Sequence, residues 1–468
     1  ISATADWEAS AKLKIKGSTN RKIWSVIPGT NYYPGYNNFV DLNKARIKTD
    51  LFENFGNVVN DYHNDSLSDK ATNGRCGKHG HDVVGVEPGN MDDAAGLINF
   101  IRGQDYFDYK GNCDIYRDRD KMLADIYNSQ IVVVGKPNAN INFSNNFQES
   151  YWRSLNNYAG GFASSSAASR TEVVYAGANN GILHAFRADN GEELWGFVPP
   201  LIAGKLPLMI NKSLNRGGSH GGGSNPIFAV DGSPVVHDVY MKGLSRATGS
   251  FESNNSWRTI LMIPYGRGGA GFSVLDVTIP EEPLHLYSIL NDTIQGYVYH
   301  VDHQGTFKKY NHSSTTYNTK DFIEIEDAIL NSTVYIGRTL TLPGTINTSS
   351  LDQKVYIDGN VVCSASCFTT SGGNTIVNLG IDIIYDGNPS TTVTNPSVKV
   401  AIMNPIENAG RDYNYRYLAE TWSSPRIFRM PNNGSGDTNI ADDTYVAVMG
   451  GGYGSVQAGL GSNLLVIN

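Results

Sequence analysis

Residues 172–198 read Glu172-Val173-Val174-Tyr175-Ala176-Gly177-Ala178-Asn179-Asn180-Gly181-Ile182-Leu183-His184-Ala185-Phe186-Arg187-Ala188-Asp189-Asn190-Gly191-Glu192-Glu193-Leu194-Trp195-Gly196-Phe197-Val198. Short runs rich in β-branched and aromatic residues are separated by Asn-Asn-Gly and Asp-Asn-Gly, residues that accept the backbone conformations tight hairpins demand. The stretch predicts three antiparallel strands at 172–177, 181–186 and 193–198. Upstream, Asn128-Ser129-Gln130-Ile131-Val132-Val133-Val134 supplies a strand that completes a unit of four.

The unit recurs. Its first strand returns as Gly232-Ser233-Pro234-Val235-Val236 and Ser423-Ser424-Pro425-Arg426-Ile427-Phe428, each with Ser before Pro where the first copy has Ser before Gln. The second strand returns as Arg258-Thr259-Ile260-Leu261-Met262-Ile263 and Thr444-Tyr445-Val446-Ala447-Val448-Met449. After a Gly-rich turn the third follows as Gly271-Phe272-Ser273-Val274-Leu275-Asp276 and Ser462-Asn463-Leu464-Leu465-Val466-Ile467. Pro283-Leu284-His285-Leu286-Tyr287-Ser288 closes the second copy. A four-stranded antiparallel sheet with two apolar faces must stack on neighbours around an axis, which is a propeller blade. The expected fold is therefore mainly β: a partial β-propeller of about three blades, with a helical and loop-rich N-terminal lead-in and a β-rich insertion. Three blades do not close a ring, and the third copy stops after its third strand, so further chain or another subunit is expected to complete it.

Spacing locates the insertion. Ser129 and Ser233 are 104 residues apart, Ser233 and Ser424 are 191 apart, and about 87 extra residues fall in the second interval. The expected organisation is a lead-in over 1–120, blades over 121–290, an inserted β subdomain over 291–414 and a further, incomplete blade over 415–468. Within the lead-in, Asp6 is expected to cap a helix beginning at Trp7, and Asp92–Arg102 spaces its apolar side chains at three and four as a helix does. A long loop after Asn64 is expected to be tied down at Cys76.

The 468 residues include 37 basic and 45 acidic side chains, a net charge of −8, with 40% hydrophobic and 18% charged. That is too apolar and too weakly charged for disorder. The absence of a Lys/Arg run argues against nucleic acid as a partner. Fifty Gly, 47 Asn and 26 Tyr suit a chain that turns often between pleated strands. No apolar run is long enough for a transmembrane segment, and a chain opening on Ile1 without a signal pattern reads as a processed or partial product.

Four cysteines fall into two groups, Cys76 with Cys113 and Cys363 with Cys367, which favours two disulfides and an oxidising compartment. Cys76, His79, His81 and Cys113 also form a set of tetrahedral zinc ligands, a rival reading unsupported by any CxxC pair. For calcium, the alternation Asp437, Asn439, Asp442 and Asp443 and the run Asp114 to Asp120 offer oxygen ligands; the Gly and terminal Glu of an EF-hand loop are missing, and a solvated turn is the competing reading. Gly266-Arg267-Gly268-Gly269-Ala270-Gly271 matches GxGxxG, but a strand follows it where a dinucleotide site needs a helix, so it reads as a hairpin turn. His184 and His237 lack a positioned nucleophile. His300 and Asp302 share a strand face that His303 does not.

Leu123-Ala124-Asp125-Ile126-Tyr127-Asn128-Ser129, the Val174–Phe186 and Gly191–Pro200 strings, Val230-Asp231-Gly232-Ser233-Pro234 and Thr421-Trp422-Ser423-Ser424-Pro425 together resemble the C-terminal propeller of the PilY family of type IV pili. Asn20-Arg21-Lys22-Ile23-Trp24 and Leu97–Gly103 fit the lead-in to that domain. The resemblance implies a non-enzymatic pilus-tip adhesin and assembly factor. It would be exported through the periplasm to the extracellular surface, working with minor pilins and attaching to host or abiotic surfaces. The family's calcium loop belongs to a later blade, so no residue here takes that role from the resemblance. Two other expectations share the scaffold: a receptor-binding tip of another secreted or viral fibre, and a quinoprotein-like oxidoreductase, whose blade-closing pattern Ala188–Trp195 resembles. In either, Trp195 is expected to lock adjacent blades.

Overall fold

The computed structural model describes residues 6–33, 35–53, 91–106, 117–137, 166–215, 221–246, 248–311, 321–324, 335–343, 354–357, 360–363, 365–385, 398–402, 415–430, 443–454, 460–461 and 464–467. Two compact units emerge, one of residues 1–309 with 417–468, the other of residues 310–416.

Three blade sheets and a two-stranded ribbon, Ile210–Asn215 with Gly221–Ser224, build the described part of the first unit. The first runs in the order Val132–Val134, Val173–Gly177, Leu183–Arg187, Glu193–Phe197, all antiparallel, and Ile23–Trp24 of the lead-in adds a parallel strand to its outer edge. The second contains Val235–Leu244, Phe251–Pro264, Gly271–Asp276 and Leu284–Asp292, then Tyr297–Asp302 and Phe307–Asn311. The third is Arg426–Met430, Thr444–Gly450 and Leu464–Ile467. The first strands of the three sheets adjoin one another, while the lead-in strand and the extra hairpin lie on outer edges. This is the stepping of blades about an axis, and the described sheets do not close a ring.

The seams repeat. Residues approaching each first strand cross the turn between the second and third strands of the preceding sheet. Ala229 N–H donates to Asn179 Oδ1 at 3.1 Å. Thr421 Oγ1 accepts Tyr265 N–H at 2.9 Å and donates to the Gly271 carbonyl at 2.7 Å. Asp231 accepts both the backbone N–H and the side-chain amide of Asn128, at 3.2 and 2.6 Å. Trp195 locks the first blade to the second, its Nε1–H donating to the Pro280 carbonyl at 2.7 Å from a wholly buried site.

The register refines the alignment of copies. Val132 faces Tyr175, Val235 faces Met262 and Arg426 faces Val448, so Ser129 corresponds to Gly232 and Ser423 rather than to Ser233. Ser129 Oγ accepts the N–H of Gly177, and Ser423 Oγ that of Gly450. At the matching place in the second copy stands Pro264, which has no N–H, and Gly232 faces it without a hydroxyl.

Two apolar bodies hold the unit together. Trp24, Tyr175, Trp195 and Phe197 pack with Leu261, Ile263, Tyr265 and Tyr299 between the first two sheets. The lead-in buries Phe39, Ile47, Leu51, Phe52, Leu97, Ile98 and Ile101 against Ile182, Val198 and Leu206. The helix Met91–Arg102 forms as its periodicity predicts, with Ala94, Leu97, Ile98 and Ile101 inward. The first helix differs from expectation: it runs Ala9–Lys16, is preceded by extended Glu8, and has no side-chain cap, so Asp6 does not cap it. The loop after Asn64 and Cys76 lies outside the described residues.

The second unit contains two antiparallel sheets. One is ordered Asp321–Glu324, Val398–Ile402, Lys354–Ile357, Asn360–Cys363; the other is Tyr335–Pro343, Asn374–Tyr385, Phe368–Ser371. An insertion starting at 291 is corrected here, because residues 297–311 pair onto the second propeller sheet and the separate unit starts at 310. The sequence hid this because Tyr297–Asp302 continues the alternation of the preceding strand across a four-residue turn.

Candidate interaction surface

Two polar clusters have the residue types of catalysis, and both are sealed. In the second sheet, Tyr265 Oη lies 2.7 Å from Ser273 Oγ, Ser273 Oγ 2.6 Å from Ser288 Oγ, and Ser288 Oγ 2.8 Å from His285 Nε2. All four side chains are wholly buried. Burial pushes His285 down to about 3, with the charge of His300 acting in the same direction, and raises Tyr265 above the ordinary phenol range. A serine beside a neutral histidine has nucleophilic geometry, but no substrate reaches it; the chain of hydroxyls satisfies polar groups inside a core.

The second cluster joins the lead-in to the first blade. Arg21 donates Nε–H and Nη2–H to the two oxygens of Glu193, at 2.7 and 2.8 Å, and Nη1–H to the Arg102 carbonyl at 2.6 Å. His184 Nδ1 lies 2.8 Å from Glu193 Oε1. Burial alone would raise the Glu193 carboxyl; the Arg21 guanidinium overrides it and holds the group well below the usual carboxylate range. Burial lowers His184 despite its acidic partner. An ionised Glu193 only accepts, so His184 carries its proton on Nδ1, and Nε2 has no partner among the described residues. Arg102 answers Arg21 by donating to its carbonyl at 2.8 Å and to Phe39 O at 3.1 Å.

The other residues singled out in the sequence go to separate places. Asp443 is described, and its buried carboxylate accepts from Arg429 Nε–H. Asp437, Asn439 and Asp442 lie outside the described residues, as do Cys76, Cys113, His79, His81 and Asp114. Of the Asp114–Asp120 run, Asp118 accepts the Ser18 N–H and Asp120 pairs with Lys14, so both fasten the lead-in. Cys367 is disulfide-bonded. Among the described residues, no group of three or more His, Cys, Asp or Glu is arranged to hold a metal. His303 stacks toward Phe251 and His300 toward Tyr287, so the Tyr-His-Val-Asp-His string does not converge. The GxGxxG string is a packed turn. A Cβ at Gly268 would sit 1.6 Å from the Ala229 carbonyl and one at Gly266 2.8 Å from Asp231, leaving the segment that enters the same blade, not a phosphate, against the glycines.

Several large apolar and aromatic side chains face solvent. One face of the third sheet carries Phe428, Met430, Leu464 and Val466, all more than 40% exposed. Tyr127, Trp422 and Tyr453 are exposed at the sheet ends where the second-to-third-strand turns gather. Sequence reading missed these three because exposure of an aromatic is not written in strand periodicity; the exposed, polar-flanked Tyr453 in a Gly-rich turn is the one usable signal. Among the described residues no helix is long and apolar enough to cross a membrane.

A family profile described as PilY1 beta-propeller domain matches residues 123–299, the stretch that holds the first two sheets from their first strands onward. A type IV pilus biogenesis factor PilY1 of Pseudomonas aeruginosa (strain UCBPP-PA14) is 33% identical over 204 residues, 43% of this chain and 15% of that protein. A PilY1 homolog of Xylella fastidiosa (strain Temecula1) is 34% identical over 188 residues, 40% of this chain and 13% of that protein. The chain thus spans about a seventh of the length of these relatives. The crystal structure of the P. aeruginosa PilY1 C-terminal domain aligns with 68% of this chain and 58% of that one at 17% identity, with a TM-score of 0.23, too loose a superposition to carry an argument. Residues 123–299, with the blade pattern they form, are thus similar to the PilY1 beta-propeller domain.

Proposed function

We propose that the chain is part of a type IV pilus assembly factor that also serves as an adhesin at the pilus tip, outside the cell, with minor pilins and a host or abiotic surface as its partners. The observation that carries this reading is the match of residues 123–299 to the PilY1 propeller, in relatives named as pilus biogenesis factors. The physical character of the molecule supports a binding rather than a catalytic role. Its serine, histidine and glutamate clusters are buried and spent on joining strands, while its exposed surface carries apolar and aromatic side chains of the kind that grip a partner.

Deletion of the gene in the encoding bacterium, with surface pili counted by electron microscopy and attachment measured on an abiotic surface, tests the proposal. Loss of pili and of attachment, both restored by the wild-type gene, is the expected result. A deletion strain that assembles and retracts normal pili would overturn it. A quinone absorbance band co-purifying with the protein would favour the oxidoreductase instead.

A further inference from the structure

A band of side chains, linked by ring contacts and backbone bridges, lies at the ends of the three blade sheets. It begins at Tyr127, 69% exposed, whose ring meets Phe228 edge-on at 6.0 Å. The exposed Arg267 guanidinium lies over the other part of that ring, 4.1 Å from its centroid. The turn holding Arg267 is bridged to the third blade through Gly266 and Thr421. On either side of Thr421 stand Glu420 and Trp422, and Glu420 pairs in turn with Tyr453, backbone to backbone at 3.2 and 2.9 Å.

Bridged residues point their side chains the same way, so Glu420 and Tyr453 share a face. Trp422 joins them, since its Nε1–H donates to Glu420 Oε2 at 3.1 Å. Trp422 and Tyr453 are nonetheless 45% and 76% exposed. Tyr453 is not presented on a loose loop. Neighbouring Gly452 has φ +99°, and a Cβ there would fall 2.3 Å from the Glu420 carbonyl, so the backbone beneath the ring is tightly seated.

We propose that this band is a docking surface for a folded protein partner that offers a carboxylate to Arg267 and a basic side chain to Glu420; resting on the pilus reading above, that partner is a pilin subunit. Both charges are already oriented by an aromatic neighbour, so little side-chain freedom is lost when a counter-charge arrives. Trp, Tyr and Arg are the residues that carry most binding energy at protein interfaces. An anionic lipid surface is a poor occupant, because the chain's net charge is −8 and Glu420 stands in the middle of the band.

The test measures binding of the whole chain to purified soluble domains of the encoding organism's minor pilins, by biolayer interferometry. The wild type is compared with Arg267→Glu, Glu420→Arg, Trp422→Ala and Tyr453→Ser, and with Ile15→Ser and Ile294→Ser as controls at sites 81% and 96% exposed but off the band. Thermal melting checks that each variant is folded. Affinity should fall roughly tenfold or more in the band variants and stay within about twofold in the controls, with the charge variants also flattening the salt dependence of the on-rate. Equal binding by wild type and band variants would overturn the surface while leaving the pilus reading intact. Equal losses in the controls would also overturn it. If the wild type binds no pilin, this docking proposal fails, and piliation of the deletion strain then decides the wider reading separately. Saturable glycan binding lost in Trp422→Ala but kept in both charge variants would replace the proposal with a sugar site.

Discussion

The guanidinium of Arg21 grips the carboxylate of Glu193 through two parallel hydrogen bonds, across 172 residues of sequence and with neither side chain accessible to solvent. That pair sits where the lead-in strand Ile23–Trp24 runs parallel to Glu193–Phe197, so the ion pair and the strand pairing place the same two segments together. Removing one partner leaves the other as an unpaired buried charge, a loss on the order of 3–5 kcal/mol. Glu193→Gln and Arg21→Met are each expected to lower stability by that amount in urea unfolding. The double variant Arg21→Met/Glu193→Leu should recover much of the loss, because neither member of the pair is left as a lone charge. A double variant no better than the worse single one would show that hydrogen bonds to Arg102 and His184, rather than the pair itself, dominate.

Trp195 makes a separate prediction about the blade seam. Its indole closes the core between the first two sheets and its N–H reaches the Pro280 carbonyl. Trp195→Phe keeps most of the apolar contact and removes the hydrogen bond, for a loss of about 1–2 kcal/mol. Trp195→Ala also opens a cavity and should lose about 3–5 kcal/mol. Amide exchange should show the difference locally, as faster exchange in the Leu284–Asp292 strand than in the third sheet. Uniform acceleration throughout would mean that the Trp is not a seam element.

The three-fold repeat carries its own internal control. Ser129 Oγ accepts the Gly177 N–H at 3.0 Å inside the first blade, so Ser129→Ala strands a buried donor and should cost about 1–3 kcal/mol. In the second copy the same exchange runs in reverse. A Cβ at Gly232 would stand 2.2 Å from the Pro264 carbonyl, so Gly232→Ser is expected to destabilise by overpacking, and Pro264→Gly added to it to restore part of the loss by supplying the donor. Urea midpoints of Ser129→Ala, Gly232→Ser, Pro264→Gly and the double variant check the scheme; additive effects of Gly232→Ser and Pro264→Gly would refute it.

Much of this fold was legible in the sequence. Alternating β-branched runs, Asn-Gly turns and their recurrence predicted the strands of the first two blades and the propeller class, because strand burial and turn backbone conformation are local demands. Two things were not. The parallel strand Ile23–Trp24 is two residues long and owes its place to Arg21, Glu193 and the packing of Trp24, none of which leaves a periodic mark. The pairing of Ser129 with Gly232 and Ser423 needed the register, since Ser-Pro recurs one residue away and captures the eye. The docking band was less legible still. Tyr127, Arg267, Glu420 and Trp422 come from turns and crossovers of different copies, and it takes the Phe228 ring and the bridges Gly266 to Thr421 and Glu420 to Tyr453 to bring them side by side.

His285 supplies the last prediction, a dependence of stability on pH. Burial, reinforced by the nearby charge of His300, holds the imidazole at about 3, against 6.5 for the ordinary side chain, so it is neutral when folded at any pH above that value. The unfolded chain takes up a proton below about 6.5 and the folded one does not, so the unfolded state binds more protons and stability rises with pH in this window. The contribution is complete above about 6.5 and is lost at about 1.4 kcal/mol per pH unit as pH falls from 6.5 toward 3. His184, also lowered by burial, acts in the same direction. The carboxyl of Glu193, held low by Arg21, adds a further loss only below its unfolded value of 4.5. Urea unfolding at pH 7.5, 6.0 and 5.0 should therefore show a falling free energy in the wild type and a shallower slope in His285→Gln, whose amide can still bond Ser288. An unchanged slope in that variant would mean that His285 is not the titrating group and would transfer the effect to His184 and His300, both also lowered by burial.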